Sequence, residues 1–132
     1  MNEHPVDRWH DILARREPKD LAAWLAEDAV FYSPVVHKPQ AGRVLTMFYL
    51  TAAFQVLFNE TFRYVREIVG AHDAVLEFET TLDGTLVNGV DLIRWNDAGE
   101  VVEFKVMLRP LRAINLVQER MAAVLQALQQ QQ

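Results

Sequence analysis

The stretch Gly89–Phe104, GVDLIRWNDAGEVVEF, decides the fold of this chain. Its first half alternates between two sets of side chains with a period of two, which is typical of a β-strand. The alternation places Asp91 on the same face as Ile93 and Trp95. A turn sequence, NDAG, follows, and the alternation then resumes. The stretch therefore predicts an antiparallel hairpin with one buried face.

The same alternation extends to both sides of this hairpin. The strand candidates are TFRYVREIVG (61–70), AVLEFETTL (74–82), TLVNGVDLIRW (85–95) and EVVEFKVML (100–108). Short turn sequences separate them, so the simplest connection is a meander of antiparallel strands. We expect the concave face of this sheet to be lined by Phe78, Ile93, Trp95, Phe104, Val106 and Leu108.

Helical patterns flank these strands. Pro5 and Pro18 each begin a short amphipathic helix, and the two are expected to form an αα-hairpin. The run AVFYS (29–33) predicts a strand, and VVHKPQAG (35–42) predicts a short edge strand with a turn. RVLTMFYLTAAFQVLF (43–58) predicts a helix that is covered on most sides. Beyond Pro110, an apolar stripe from Leu111 to Leu128 predicts an amphipathic helix, with the terminal glutamines frayed.

Composition excludes several classes of function. The chain has 132 residues, 13 basic and 18 acidic, a net charge of −5 and no cysteine. This length indicates a single domain, 1–132. The acidic balance argues against a nucleic-acid partner, and the longest apolar stretch is too short for a membrane span. The charged N-terminal segment does not resemble a secretory signal, so we expect a cytoplasmic protein.

The order of these elements resembles the nuclear transport factor 2-like superfamily, including SnoaL-like proteins. The resemblance rests on LAEDAVFYSP (25–34), AGR (41–43) and GVDLIRWNDAGEVVEF at matching places. It implies an α+β fold: a cone-shaped barrel of a curved, mostly antiparallel sheet wrapped around three N-terminal helices, plus a C-terminal amphipathic helix. It also implies a homodimer.

Within this superfamily the steroid delta-isomerases allow a comparison residue by residue. Their catalytic tyrosine, base aspartate and protonated aspartate correspond to Trp9, Ser33 and Asp91. Asp91 keeps the residue type of the family, whereas an indole replaces the phenol and a hydroxyl replaces the base. Since a serine hydroxyl does not take a proton at neutral pH, we do not expect steroid isomerisation by that mechanism.

Three residues are candidates for catalysis. Burial of Asp91 among apolar side chains should raise its pKa above the reference of about 3.9 and make it a donor to a carbonyl oxygen. Alternatively, it is ionised and only orders its strand. Ser33, the single serine, could position a ligand or bond the local backbone. His37 could act at the pocket mouth as a mobile base, or it is a solvated loop residue.

The remaining candidates concern a ligand. Trp9, Phe31, Tyr49 and Phe54 are candidates for an aromatic wall around a flat molecule, although such residues usually form core. Together with the concave strand residues named above, they are the predicted ligand contacts. No histidine has metal-ligand spacing, so neither a metal nor another cofactor is expected.

Two functions of different classes follow from these candidates. The first is an enzyme, an isomerase, cyclase or hydratase, that uses Asp91 on a small apolar carbonyl compound. It needs a second polar group at the substrate, for which the sequence offers Ser33, His37, Tyr49 or Tyr64. The second is a non-catalytic ligand-binding or dimerisation module. We expect the stripe of the last helix to pair with a second copy, unless it folds back on its own sheet.

Overall fold

The computed structural model describes residues 3–130, which form four α-helices and a six-stranded sheet. In chain order the elements are α1 (Pro5–Arg15), a 3₁₀ turn (Pro18–Asp20), α2 (Leu21–Trp24), β1 (Leu25–Tyr32), β2 (Gln40–Ala41), α3 (Arg43–Val56), β3 (Arg63–Val69), β4 (Asp73–Leu82), β5 (Thr85–Trp95), β6 (Val101–Arg109) and α4 (Leu111–Gln130). Each helix in this part of the chain is too short or too polar to cross a bilayer.

The sheet confirms the predicted meander and the α+β class. Its strand order is β2-β1-β6-β5-β4-β3, with antiparallel pairing from β3 to β6 and parallel pairing between β1 and β6. Register shifts interrupt the ladder between Tyr64 and Arg66 and between Arg94 and Trp95. Because such bulges increase local twist and bend a strand, they help to curve the sheet around the helices without closing it. The second one places Val101, instead of Val102, opposite Trp95.

The core lies between the concave face of the sheet and the first three helices. Trp9 of α1 and Trp24 of α2 stack with their ring centroids 4.8 Å apart, and both are fully buried. The Trp24 indole donates a 2.9 Å hydrogen bond to the Pro5 carbonyl, which ties the two helices together. Buried strand side chains, including Leu76 and Phe104, complete this core.

The last helix packs on its own chain. α4 contacts α3, β5 and β6, and it buries Ala113 and Val117. The stripe therefore folds back on its own domain, which was the alternative to pairing with a second copy. The expected start of the stripe was wrong: Leu111 is 71% exposed, because Ala113 faces the core in the first turn. The helix includes Gln129 and Gln130, whereas the glutamines were expected to lie in a frayed tail. Residues 131 and 132 lie outside the described part.

Two further boundaries differ from the prediction. β1 begins at Leu25 and not at Ala29, since Leu25 already pairs with Val101 of β6. The segment 35–42 forms strand only at Gln40–Ala41. Pro34 and Pro39 lack the N–H group that strand pairing requires, so the residues between them form a loop.

Candidate functional site

Asp91 occupies the middle of the sheet and is buried, with 3% of its surface exposed. It lies in β5 between Leu76 of β4 and Val106 of β6. Its Oδ2 accepts a 2.6 Å hydrogen bond from the Tyr64 hydroxyl. Burial raises the pKa of Asp91 to about 7, against the hydrogen bond from Tyr64, which lowers it. The burial and the raised pKa expected for this carboxyl are found, whereas the open hollow that it was expected to face is filled by packed side chains. Its role in catalysis stays a prediction.

Tyr64 connects Asp91 to the first helix. Its hydroxyl accepts a 2.8 Å hydrogen bond from the Trp9 indole N–H while it donates to Asp91. Burial and the neighbouring carboxylate charge of Asp91 raise the pKa of Tyr64 well above its usual value, so it stays protonated and donating. A tyrosine hydroxyl, which the isomerase comparison lacks at Trp9, thus lies beside Asp91 and comes from β3. The sequence offered Tyr64 as one of four possible second groups and gave no sign of which one would reach Asp91.

Rings fill the space around this hydrogen-bonded chain. Trp9 contacts Phe104 at a centroid distance of 5.1 Å, and Phe62 stacks on Phe78 at 5.0 Å. Seven of the predicted ligand contacts accordingly belong to the packed core. Five of them border no cavity: Trp9, Phe78, Ile93, Trp95 and Phe104. This corrects the expectation that they line an open hollow, because α1 and the bulged strand β3 bring aromatic side chains into it.

A cavity lies at the other end of the concave face, beneath α4, and has a volume of about 170 Å³. Its walls come from the end of β1 with the following loop, from α3, from β6 and from α4. They consist of Phe31, Ser33, Pro34, Val35, Val36, Tyr49, Ala53, Leu57, Val106, Val117, Gln118, Met121, Ala122 and Leu125. Most of this surface is apolar, which is the character of a small-molecule site.

The structure brings four predicted site residues to this cavity: Ser33, Phe31, Tyr49 and Val106. The rings of Phe31 and Tyr49 are nearly parallel, with an interplanar angle of 19° and centroids 5.5 Å apart. Asp91 does not form part of the wall. Its cross-strand partner Val106 does belong to the wall. Asp91 therefore lies one strand away from the cavity, with about 5 Å between the Cα atoms of Asp91 and Val106.

Ser33 follows the last residue of β1. Its Oγ accepts hydrogen bonds from the backbone N–H groups of Val35 at 3.1 Å and Val36 at 3.2 Å. Ser33 thus bonds the local backbone, and it also has a place in the cavity wall. The two bonds hold the turn that leads the chain away from the sheet.

The other predicted site residues lie elsewhere. Phe54 borders a surface pocket beside Leu13 and α1, whereas Leu108 and His37 border a shallow depression outside the loop that follows β1. His37 is exposed, as expected for a solvated loop histidine. Within residues 3–130, no three histidine, cysteine, aspartate or glutamate side chains lie close enough together to hold a metal ion.

Fold and site together define a class of α+β proteins in which a curved sheet wraps around helices, leaves an apolar cavity at one end and buries an acid beside it. A steroid delta-isomerase from Pseudomonas aeruginosa is similar to this chain, with a TM-score of 0.88, 35% sequence identity and coverage of 93% of this chain and 90% of that protein. An uncharacterised cystatin-like protein from Silicibacter pomeroyi is similar with a TM-score of 0.83, 31% identity and coverage of 90% and 83%.

An NTF2-like protein of unknown function from Mesorhizobium loti shares the fold, with a TM-score of 0.68, 23% identity and coverage of 80% of this chain and 88% of that one. No protein-family model matches the sequence, and no curated protein sequence does. The chain belongs to the nuclear transport factor 2-like superfamily.

Proposed function

We propose that this protein binds a small, mostly apolar molecule in the cavity beneath α4. The observation that carries the proposal is the cavity itself, about 170 Å³ in volume and walled mainly by aliphatic and aromatic side chains. A dry apolar cavity of roughly 150 Å³ is enough to bind benzene, and sites for drug-sized ligands begin at about 300 Å³. A molecule with a single ring therefore fits this volume, whereas the four fused rings of a steroid would extend out of it.

Two neighbouring alanines of α4 provide a matched test. Ala122 lines the cavity and Ala123 does not, although both are exposed on the helix. Ala122→Phe places a ring in the cavity mouth. Because that ring occupies space that the probe α-methylstyrene would need, we expect the affinity for the probe to fall at least about tenfold. Ala123→Phe should bind as the unmodified chain does. Titration followed by NMR measures both affinities, and equal binding by all three proteins would contradict the proposal.

A second candidate function is acid catalysis of an isomerase, cyclase or hydratase type, as in a SnoaL-like enzyme. It is favoured by the combination of burial, a pKa of about 7 and a hydrogen bond from Tyr64 at Asp91. Because Oδ2 accepts from Tyr64, a proton on Asp91 belongs to Oδ1, which has no hydrogen-bond partner among the described residues. Such a proton is the donor that a developing oxyanion requires. Because Asp91 lies outside the cavity wall, a substrate reaches it only when the side chains packed around it move apart. If the bound molecule undergoes no reaction, the protein is a non-catalytic ligand-binding module.

A second copy of this chain is the macromolecular partner that we propose. The convex face of the sheet carries an apolar patch composed of Ile68, Val75, Val90, Leu92 and Met107, which neighbouring strands bring into register. Ile68 and Met107 are 59% and 51% exposed. Beside the patch, Arg63 pairs with Glu79 at 3.1 Å and Arg66 with Glu77 at 3.3 Å. Apolar residues ringed by both signs of charge suit a self-complementary twofold interface.

A further inference from the structure

The hydroxyl of Ser33 has used its capacity to accept hydrogen bonds. A serine oxygen has two lone pairs and one proton. The backbone N–H groups of Val35 and Val36 point at this oxygen from 3.1 and 3.2 Å and occupy both lone pairs. Among residues 3–130, the hydroxyl donates no hydrogen bond in return. The Ser33 hydroxyl can therefore still act as a hydrogen-bond donor through its proton, but not as an acceptor.

This proton is available at the cavity. Ser33 is part of the wall together with Phe31, Tyr49 and Val106. Ser33 also borders the depression outside the loop that follows it. Because both N–H groups come from that loop, the proton is free to donate to an acceptor in either place. Hydrogen bonds that a hydroxyl accepts also polarise its O–H bond, and apolar surroundings strengthen the bond that it then donates. Ser33 is thus a fixed donor beside an apolar surface.

We infer that Ser33 selects the ligand: it donates a hydrogen bond to a carbonyl or similar acceptor oxygen on a molecule with one flat ring. The flat shape follows from the parallel rings of Phe31 and Tyr49 in the same wall, and the single ring follows from the volume of about 170 Å³. The inference rests on the proposed binding function, because it names the chemical class of the molecule that this cavity takes.

Acetophenone and α-methylstyrene form a matched pair of probes for this inference. The two probes have the same shape and the same number of heavy atoms. Acetophenone has a C=O group at the position where α-methylstyrene has C=CH₂. The affinities of both probes are measured by NMR titration for the unmodified chain and for Ser33→Ala. We expect Ser33→Ala to lose about fivefold in affinity for acetophenone relative to α-methylstyrene, which corresponds to one neutral hydrogen bond. Comparing ratios removes the difference in solvation between the probes.

Ser33→Thr is the control for the turn. It keeps a hydroxyl that can accept from both N–H groups and donate its proton, so it should restore the preference for acetophenone. Any change that Ser33→Ala causes in the loop itself also changes the affinity for α-methylstyrene, so the titration with that probe reveals it.

The outcomes separate this inference from the function on which it rests. If neither probe binds the unmodified chain, the proposed binding function is wrong and the inference falls with it. If both probes bind and Ser33→Ala leaves the ratio of their affinities unchanged, the cavity binds small molecules but Ser33 does not select them.

Discussion

Asp91 links the stability of the fold to pH through its buried proton. In the folded chain its pKa is about 7, and in an unfolded chain the pKa of an aspartate is about 3.9. Between these values the folded state holds a proton that the unfolded state has released. The contribution of Asp91 is therefore fully present below pH 4, falls as the pH rises through 7, and then levels off.

Asp91→Asn should remove this dependence. Asparagine keeps the shape and an oxygen for the Tyr64 hydroxyl but does not ionise. From pH 4 to pH 8 we expect the free energy of unfolding of the unmodified protein to fall relative to the variant by about 4 kcal/mol, the equivalent of three pKa units. Urea denaturation at several pH values measures this. Asp28→Asn, at an exposed site on β1, is the control and should leave the profile unchanged.

The same variant examines the catalytic candidate. If Asp91 acts as an acid, Asp91→Asn should abolish turnover of a single-ring β,γ-unsaturated ketone such as 3-cyclohexenone, because the acidic proton is gone. Binding of α-methylstyrene should persist, since that probe needs no acid. Unchanged turnover would show that Asp91 is not the catalytic acid, and no turnover by the unmodified protein would leave it as a binding module. Parallel stability profiles would show that Asp91 does not hold its proton at neutral pH.

Within the elements, Gly89 allows β5 to pass close to its neighbours. A Cβ atom at this position would lie 2.5 Å from the ring of Phe78, 2.7 Å from Leu108 and 2.8 Å from the backbone oxygen of Met107. The backbone atom belongs to the paired strand β6 and cannot move without disturbing the sheet. The absence of a side chain at Gly89 therefore permits the aromatic packing that fills this part of the concave face.

Gly89→Ala should destabilise the protein by roughly 1–3 kcal/mol, the cost of overpacking a core. Gly70→Ala is a matched control, because the nearest atom there is the end of the Asp73 side chain, 2.8 Å away in an exposed turn, and it can rotate aside. We expect that change to cost less than about 1 kcal/mol. Equal melting temperatures for Gly89→Ala and the unmodified protein would mean that the strands separate easily.

At the scale of the whole molecule, the convex apolar patch and α4 make different predictions about assembly. Because α4 is covered by α3 and the sheet of its own chain, we expect the dimer to form through the convex patch. Met107→Glu places a charge in that patch and should give a monomer, since burying an unpaired charge costs several kcal/mol. Leu111→Glu, at an exposed position of α4, should leave the dimer intact.

Light scattering after size-exclusion chromatography measures these masses. A monomer in the unmodified protein would refute the dimer. A monomer from Leu111→Glu alone would return the interface to the last helix, where the apolar stripe first suggested it.

The sequence by itself determined the elements, their order and the face on which Asp91 lies, because a period of two or of about 3.6 residues fixes which side chains share a face. It also determined that β3 to β6 form a meander, since their connections are too short for any other pairing.

Only the tertiary structure decided which of the inward-facing residues meet. The pairing of Tyr64 with Trp9 and Asp91 depends on a bulge in β3 and on α1 bringing Trp9 to the sheet. The position of the cavity depends on α4 folding over α3. These contacts join residues far apart in the chain, and periodicity carries no information about distances between elements. The physical reason is that packing is decided by the shapes of several side chains together.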